Sequence, residues 1–572
     1  MALEDLGDSG GSLRFASIHS VRSRPDAVED AVNGDFWLGD DKLALSAPID
    51  WWDEPYRVGE RAFFLNSFVF ADPVLSAAEF EPALVPLGDI FVNWIRANPR
   101  EGSQHPHRYA WHDHAAAGRL VYIAFVLREG VRLGSLEEET ATQLACTALE
   151  HADYLLADEN YSASHNHGLF SDAALALAAR SLAPAQEASE WDRRATVRFE
   201  AVLERTVSSV DALHLEHSPY YHWIIREALR RFAQAGLFEE LDLSELVARM
   251  GESAAWLVAP DGTLPPIGDT PFGRPPSREA VERSRELVGL KLFADAGYTA
   301  IRDGGSCLII TAAHHPTGHK HADDGSFCLY EDGQPLVIDS GDPGYEYDGP
   351  DRRYGTAPRA HAAASVDGFD WRGERSPHGS GIVAAVEDDG IYAVLTRTPG
   401  GSPGGGDLRR VLAYAPGESL VIVDLVEAGQ GERVERHLPL AADLHPTLRG
   451  DGRIVIDRAA RPAAWIAQLN IQGTRADTVS FELGQEEPEL AGFQFSSPGA
   501  REPRPVVAFL GLGDHPRGTA IAIGPEPPAD ELELVVEAGG EGVGISIIGV
   551  MPQPLRIDVG RGTLALVGSS GK

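Results

Sequence analysis

Two histidines one residue apart, His319 and His321, open the stretch "GHKHADDGSFCLYEDGQPLVIDSG". On an extended chain that spacing puts both imidazoles on one face, roughly 6.5 Å apart. "SFCLYE" and "PLVIDSG" flank "DGQ", a hairpin-turn signal. The returning strand therefore carries Asp339 back beside the histidines. His361, in "PRAHAAASVDG", follows shortly after. Two imidazoles and a carboxylate make a Zn²⁺ set with a fourth position left over, and solvated histidines on a loop are the plain alternative.

Three further groups stand in the first half. In "SASHNHGLFSDAALALAAR", Asn166 and His167 precede a strongly helical run, where Asn166 or Ser164 could also serve as N-cap. In "EHSPYYHWIIREAL", Pro219 suits a first helical turn and Tyr220 and Tyr221 suit a core. "WHDHAAAGR" adds His112, Asp113 and His114 to a helix face.

The elements that must position these groups change character along the chain. Up to about residue 295 apolar residues recur at three- and four-residue spacings, as in "HDHAAAGRLVYIAFVLREGVRL" and "YHWIIREALRRFAQAG". Successive amphipathic helices without a fixed repeat predict helical hairpins closing as an incomplete α/α toroid over 1–295. The Gly- and Pro-rich "DGTLPPIGDTPFGRPP" breaks the pattern, and "SREAVERSRELVGLKLFADAG" reads as one more helix. Beyond it, short β-branched runs such as "SCLIITAAH", "SLVIVDLVEA" and "PVVAFLGL" predict an antiparallel, sandwich-like β domain over 296–572. The fold class is thus multidomain, α then β.

Bulk properties bound the chemistry. At 572 residues the chain exceeds one core, and 43% hydrophobic with 24% charged residues is a soluble balance. A net charge of −37 argues against a nucleic-acid partner, and no apolar run approaches the ~20 residues of a membrane span. Three scattered cysteines, Cys146, Cys307 and Cys328, fit a reducing compartment. "MALEDLGDSGGSLRF" lacks a basic n-region before an apolar run, so the expectation is cytoplasmic, or secreted or periplasmic if the sequence is truncated.

The combination resembles the heparinase II/III-like polysaccharide lyases, a group that includes alginate-oligosaccharide lyases. "NHGLFSDAALAL" matches an Asn-His helix start, "EHSPYYH" a Glu-x-Ser-x-x-Tyr-His pattern, and "GHKHAD" with "DSG" the histidine hairpin. "DGTLPPIGD" resembles the junction segment. The resemblance implies an α/α toroid followed by an antiparallel β domain. It implies that Asn166 contacts a uronate carboxylate, that His167 and His319 are the imidazoles at the reaction centre, and that Tyr221 rather than Tyr220 transfers a proton. It makes His321, Asp339 and His361 the ligands of a structural Zn²⁺. Two departures stand out: "HAAAS" replaces the family's His-Asn-Thr, and Lys320 replaces a common Gly, either as a cation near an acidic sugar or as a solvated side chain.

The expected activity is β-elimination on an acidic poly- or oligosaccharide, giving unsaturated uronate products, with a homodimer left open. The alternatives are a zinc hydrolase using metal-bound water, a glycoside hydrolase using Glu216 or Asp269, and a non-catalytic sugar-binding protein.

Overall fold

A computed structural model describes residues 13–567, apart from 20–22, 47, 52–58, 101–107, 184–185, 316–318, 347, 371–378, 430, 470–475, 498, 514, 530–531, 540–541 and 561. Gly318 of the histidine stretch, and the N-terminal residues 1–12 on which the leader expectation rests, lie outside them. The chain packs as two compact units, each discontinuous in sequence. The first comprises Met1–Val207 with Ile225–Ala248, and the second Ser208–Ile224 with Arg249–Lys572.

The first unit is helical, as its periodicity predicts. Its long helices include α1 (Leu84–Ala97), α2 (Asp113–Leu133), α3 (Glu138–Leu156), α4 (Asn166–Leu182) and α5 (Gln186–Thr206). Helix α2 is buried on every face from Ala115 to Gly130. Its small residues allow that: a Cβ on Gly118 would lie 2.8 Å from the Ser67 carbonyl oxygen. Gly134 ends it in the left-handed region at φ 63°, and the amide of Ser135 closes onto Gly130 O at 3.0 Å. Helix α4 is equally buried and packs on α2 and α5. A short hairpin, Asp35–Leu38 with Asp41–Ala44, was not visible in the helical pattern. No helix among the described residues is long and apolar enough to cross a membrane.

The second unit is built of antiparallel sheets. A five-stranded meander runs β1 (Gly289–Phe293), β2 (Tyr298–Asp303), β3 (Ser306–Thr311), β4 (Ser326–Glu331), β5 (Gln334–Val337) in sequence order. β4 and β5 form the expected hairpin; Asp332 and Gly333 both take positive φ, 50° and 74°, as a type I′ turn requires. The helix expected over "SREAVERSRELVGLKLFADAG" is cut short. It spans Arg278–Ser284, and "GLKLF" is strand β1 paired to β2. Only Phe293 of that strand is fully buried, so no clean alternation marks it as a strand in the sequence.

An eight-stranded sheet carries the rest of the core. Its strand Ser419–Val426 is buried at every position. Alternate residues serve two cores: Leu412, Leu420 and Ile422 join one with Ile301, Leu308 and Ile310 of the meander. Val411, Val421 and Val423 join another with Leu534, Ile545 and Ile557 of a C-terminal four-stranded sheet. Burial on both faces explains why these strands read as unbroken apolar runs. A separate four-stranded sheet, Thr478–Leu483, Pro505–Leu512, Arg433–Pro439, Ala364–Val366, ends on the strand that follows His361.

Candidate active site

In the first unit, α4 begins at Asn166, with His165 as N-cap in extended geometry. The His165 Nδ1 accepts the His167 amide at 3.4 Å, so neither Asn166 nor Ser164 is the cap. Asn166 is the first helical residue and is buried. His167 turns back to the start of α2. Its Nδ1 donates to Asp113 at 3.0 Å to Oδ1 and 3.2 Å to Oδ2, and Ser162 Oγ donates to Asp113 Oδ2 at 2.8 Å. Burial opposes the charge on Asp113, but the His167 bond and the neighbouring imidazoles outweigh it and hold the carboxyl well below its usual range. "WHDHAAAGR" is therefore the helix start that orients His167 rather than a solvated histidine edge. His112, Asp113 and His167 also offer ligand atoms within 4.8 Å of one another.

In the second unit, Tyr221, His319, His321, Asp339 and His361 come together with residues the motifs did not assign. His319 and His321 do not lie on a strand; they sit in the loop before β4. What aligns them is Asp269, fully buried. His319 Nδ1 donates to Asp269 Oδ2 at 2.8 Å, and His321 Nε2 donates to Oδ1 at 2.9 Å. Arg352 closes the other side as a fork: Nη1 onto Oδ1 and Nη2 onto Oδ2, the latter at 3.2 Å. Four N–H donors match the roughly four acceptor positions of a carboxylate. Burial opposes ionisation of Asp269, yet the bonds from His319 and His321, with Arg352 behind them, keep it firmly ionised.

The turn that delivers Asp269 needs glycine before it. Gly268 has φ +57°, and a Cβ there would meet His217 O at 2.4 Å.

Tyr221 lies flat on His319, ring centroids 3.6 Å apart and planes 23° apart. Its hydroxyl shares a 2.6 Å hydrogen bond with Tyr345, whose ring packs on the Arg352 guanidinium at 5.6 Å. Burial raises the Tyr221 phenol well above its usual value, so it rests protonated. Tyr220 instead faces Arg274, 5.5 Å over its ring. Glu216 is also buried and lies 3.5 Å from His319 Nε2. A glycosidase pair of Glu216 and Asp269 is not supported, because Asp269 is closed to substrate by its four donors.

Lys320 is neither solvated nor presented to a sugar. It turns inward, and Nζ bonds Asp323 Oδ1 and Asp324 Oδ1 at 2.6 Å each. Arg352 and Lys320 thus each have an internal anion.

His361 Nδ1 donates to Asp339 Oδ1 at 2.7 Å, and the His321 and His361 rings stand 5.3 Å apart. Arg504, fully buried, donates to the carbonyls of Ile338, Asp339 and Ala360 at 2.7–2.8 Å, tying the segment after β5 to the one before His361. His321 Nδ1 and His361 Nε2 are buried without a hydrogen-bond partner. Two such nitrogens beside a carboxylate are the donor types a divalent metal takes, with each ring's other nitrogen held by a carboxylate. Burial keeps His321 neutral, as a ligand must be. Among the described residues, the groups whose ligand atoms gather within 4.8 Å do not include this trio. The donor types fit a divalent metal, and Asp339 is held by protein donors as it stands: Oδ1 accepts from His361 Nδ1 at 2.7 Å and from Ser340 N at 2.6 Å, and Oδ2 from Ser326 Oγ at 3.2 Å.

Asp269 was named only as a glycosidase carboxylate, and Arg352, Tyr345 and Arg504 were missed as site residues. Asp269 sits in the junction segment "PPIGD", and a Gly-Asp after two prolines was the available signal. Arg352, Tyr345 and Arg504 carry no spacing signal, since their partners lie 83, 124 and 144–166 residues away.

Two family models match the chain: heparinase II/III N-terminus over residues 88–295, and heparinase II/III-like, C-terminal, over residues 285–523. Among solved structures, a heparan sulfate lyase, HepC, from Pedobacter heparinus superposes with a TM-score of 0.62 at 17% identity, covering 96% of this chain and 90% of that one. A heparinase III superposes with a TM-score of 0.70 at 15% identity, covering 98% and 94%. Both share the order of helices followed by antiparallel sheets. No curated protein matches the chain in sequence.

Proposed function

The chain belongs to the heparinase II/III-like family, and we propose that this polysaccharide lyase cleaves a uronic-acid-containing glycan by β-elimination. The C5–H bond of the uronate breaks and its proton passes to a base. The electron pair forms the C4=C5 double bond, the C4–O bond breaks, and the leaving oxygen takes a proton from an acid.

The observation that carries this reading is the pairing of Tyr221 and His319. Tyr221 rests as a neutral phenol, which suits donation to a leaving oxygen better than abstraction from carbon. His319, held at Nδ1 by Asp269, keeps its orientation fixed and leaves Nε2 for proton exchange. We assign Tyr221 as the acid and His319 as the base. Asn166, by family resemblance, donates its amide to the uronate carboxylate, where an enolate-like dianion develops. His167, oriented through Nδ1 by Asp113, is assigned to the same carboxylate.

His321, Asp339 and His361 would hold the divalent metal, Zn²⁺ by donor type. Bound there, it would cross-link the His319 loop to the end of β5 rather than polarise the sugar.

The test is product chemistry. Elimination creates a conjugated double bond with new ultraviolet absorbance. The similar structures, a heparan sulfate lyase and a heparinase III, put heparan sulfate first in the panel. Alginate, hyaluronan and glucuronan follow. Saturated hydrolysis products from any of them would overturn the lyase assignment.

A further inference from the structure

Asp269 is the one carboxylate shared by the His319 and His321 rings, and each ring presents a different nitrogen to it. His319 offers Nδ1 to Oδ2 at 2.8 Å; His321 offers Nε2 to Oδ1 at 2.9 Å. An ionised carboxylate only accepts, so both of those nitrogens must carry hydrogen. Arg352 fills the remaining acceptor positions, which prevents the carboxylate from rotating to favour one ring. Gly268, at φ +57° where an added Cβ would collide with His217 O, sets the backbone before it.

We propose that Asp269 is a positioning residue that sets opposite tautomers on the two histidines. It fixes His319 as the Nδ1–H form, which leaves Nε2 as the proton-exchanging atom. It fixes His321 as the Nε2–H form, which leaves the buried, unpartnered Nδ1 as that ring's only lone pair. One residue thereby separates a reacting imidazole from a binding imidazole that is only two positions away in sequence. Spacing cannot do this, because both rings sit in an irregular loop. Ring nitrogens in such pairs are distinguished by the hydrogen bond the other nitrogen makes.

The proposal rests on the lyase reading for its kinetic arm alone. Its spectroscopic arm stands without any substrate.

The experiment is a long-range ¹⁵N–¹H correlation spectrum of the full chain labelled at histidine. His319→Gln and His321→Gln variants serve to assign the two rings by loss of signal. The expected wild-type result is a proton on His319 Nδ1 and a proton on His321 Nε2. A spectrum in which either of those nitrogens carries no proton overturns the proposal.

Asp269→Asn gives the second readout. Asparagine keeps one oxygen but turns an NH₂ toward the other donors, so one ring must lose its proton at that position or turn away. We expect at least one tautomer to change. We also expect kcat on the active glycan to fall ~10–100-fold, the usual loss on removing a group that orients a functional imidazole, with KM changing less. Unchanged tautomers with kcat within about 3-fold of wild type would overturn the proposal, on the scale of the same losses. If the variant does not fold, the wild-type spectrum decides. If no glycan gives unsaturated product, the lyase reading fails while the tautomer assignment is still judged by the spectrum.

Discussion

Replacing Tyr221 by phenylalanine removes one oxygen and keeps a ring stacked at 3.6 Å on His319. The structural cost is set by what that oxygen touches. It makes one hydrogen bond, to the Tyr345 hydroxyl, and Tyr345 is 40% exposed and can turn to water. A single neutral hydrogen bond with a wettable partner is worth ~0.5–1.5 kcal/mol at most, and the lower end applies here. For a chain this long, such a loss moves the melting temperature by only a few degrees, ~2–4 °C per kcal/mol or less. The chemical cost is of another order. If the phenol protonates the leaving oxygen, its removal takes away general-acid assistance worth ~10²–10⁴ in rate. Tyr220→Phe is the internal control, because the Tyr220 ring lies under Arg274 and meets the Tyr221 ring edge-on at 6.0 Å. Initial rates of ultraviolet-absorbing product and thermal melts should be recorded for both variants beside wild type. Tyr221→Phe is expected to melt like wild type and turn over at least ~100-fold more slowly, and Tyr220→Phe to match wild type in both. Near wild-type unsaturated product from Tyr221→Phe would refute the assignment of the acid.

Asn166 is buried at the start of α4 without being its cap, so Asn166→Ala should cost turnover far more than stability, kcat dropping ~10²–10³-fold through loss of an oxyanion donor. A loss of ~1 kcal/mol in stability with full turnover would point to a structural role instead. His361→Ala should lower both the melting temperature and the stoichiometry of divalent metal found by elemental analysis of protein purified without added metal; a wild type that is metal-free and fully folded would sink the metal assignment. Asp342 offers a pH test. Burial, then the charge of Asp269, pushes its carboxyl up to about 6, against an ordinary value of 3.8. The folded state therefore keeps a proton that the unfolded chain has released between those values. Stability falls as pH rises through that window, by up to ~3 kcal/mol for a shift of about two units. Asp342→Asn keeps an oxygen for the Gly344 amide and removes the titration, so its advantage over wild type should grow from near zero at pH 4 to its maximum above pH 6 in urea titrations. Parallel profiles for the two proteins would contradict that origin.

Much of the architecture was written locally. The period-3.6 runs became helices, and "EDGQ" became a type I′ turn because Asp332 and Gly333 tolerate positive φ. "GLKLF" was misread because a seven-residue helix with four charged residues precedes it and five apolar-rich residues fit either period. At the site, Tyr221, His319, His321, Asp339 and His361 were legible through motif resemblance, and they do converge. The reason given for the histidine pair was wrong, however: no strand aligns them, a carboxylate 50 and 52 residues earlier does. Asp269, Arg352 and Arg504 act through hydrogen bonds spanning 50 to 166 residues, and nothing in a local window marks such partners. Lys320 was read as a cation for a sugar or a solvated side chain, whereas Asp323 and Asp324, three and four residues on, neutralise it.

The segment Ser208–Ile224 is counted with the sheets although it lies deep in the helical half of the sequence. Glu216 and Tyr221 both ride on it. A linear cut at the helix-to-strand transition would therefore yield a β fragment that keeps His319, His321, Asp339 and His361 but lacks the phenol that stacks on His319. Such a fragment would also expose the cluster to which Leu213 and Leu215 contribute. Domain swaps between relatives meet the same obstacle: exchanging the second half alone would graft one parent's histidines onto the other parent's tyrosine. A workable chimera has to take 208–224 and 249–572 from the same parent.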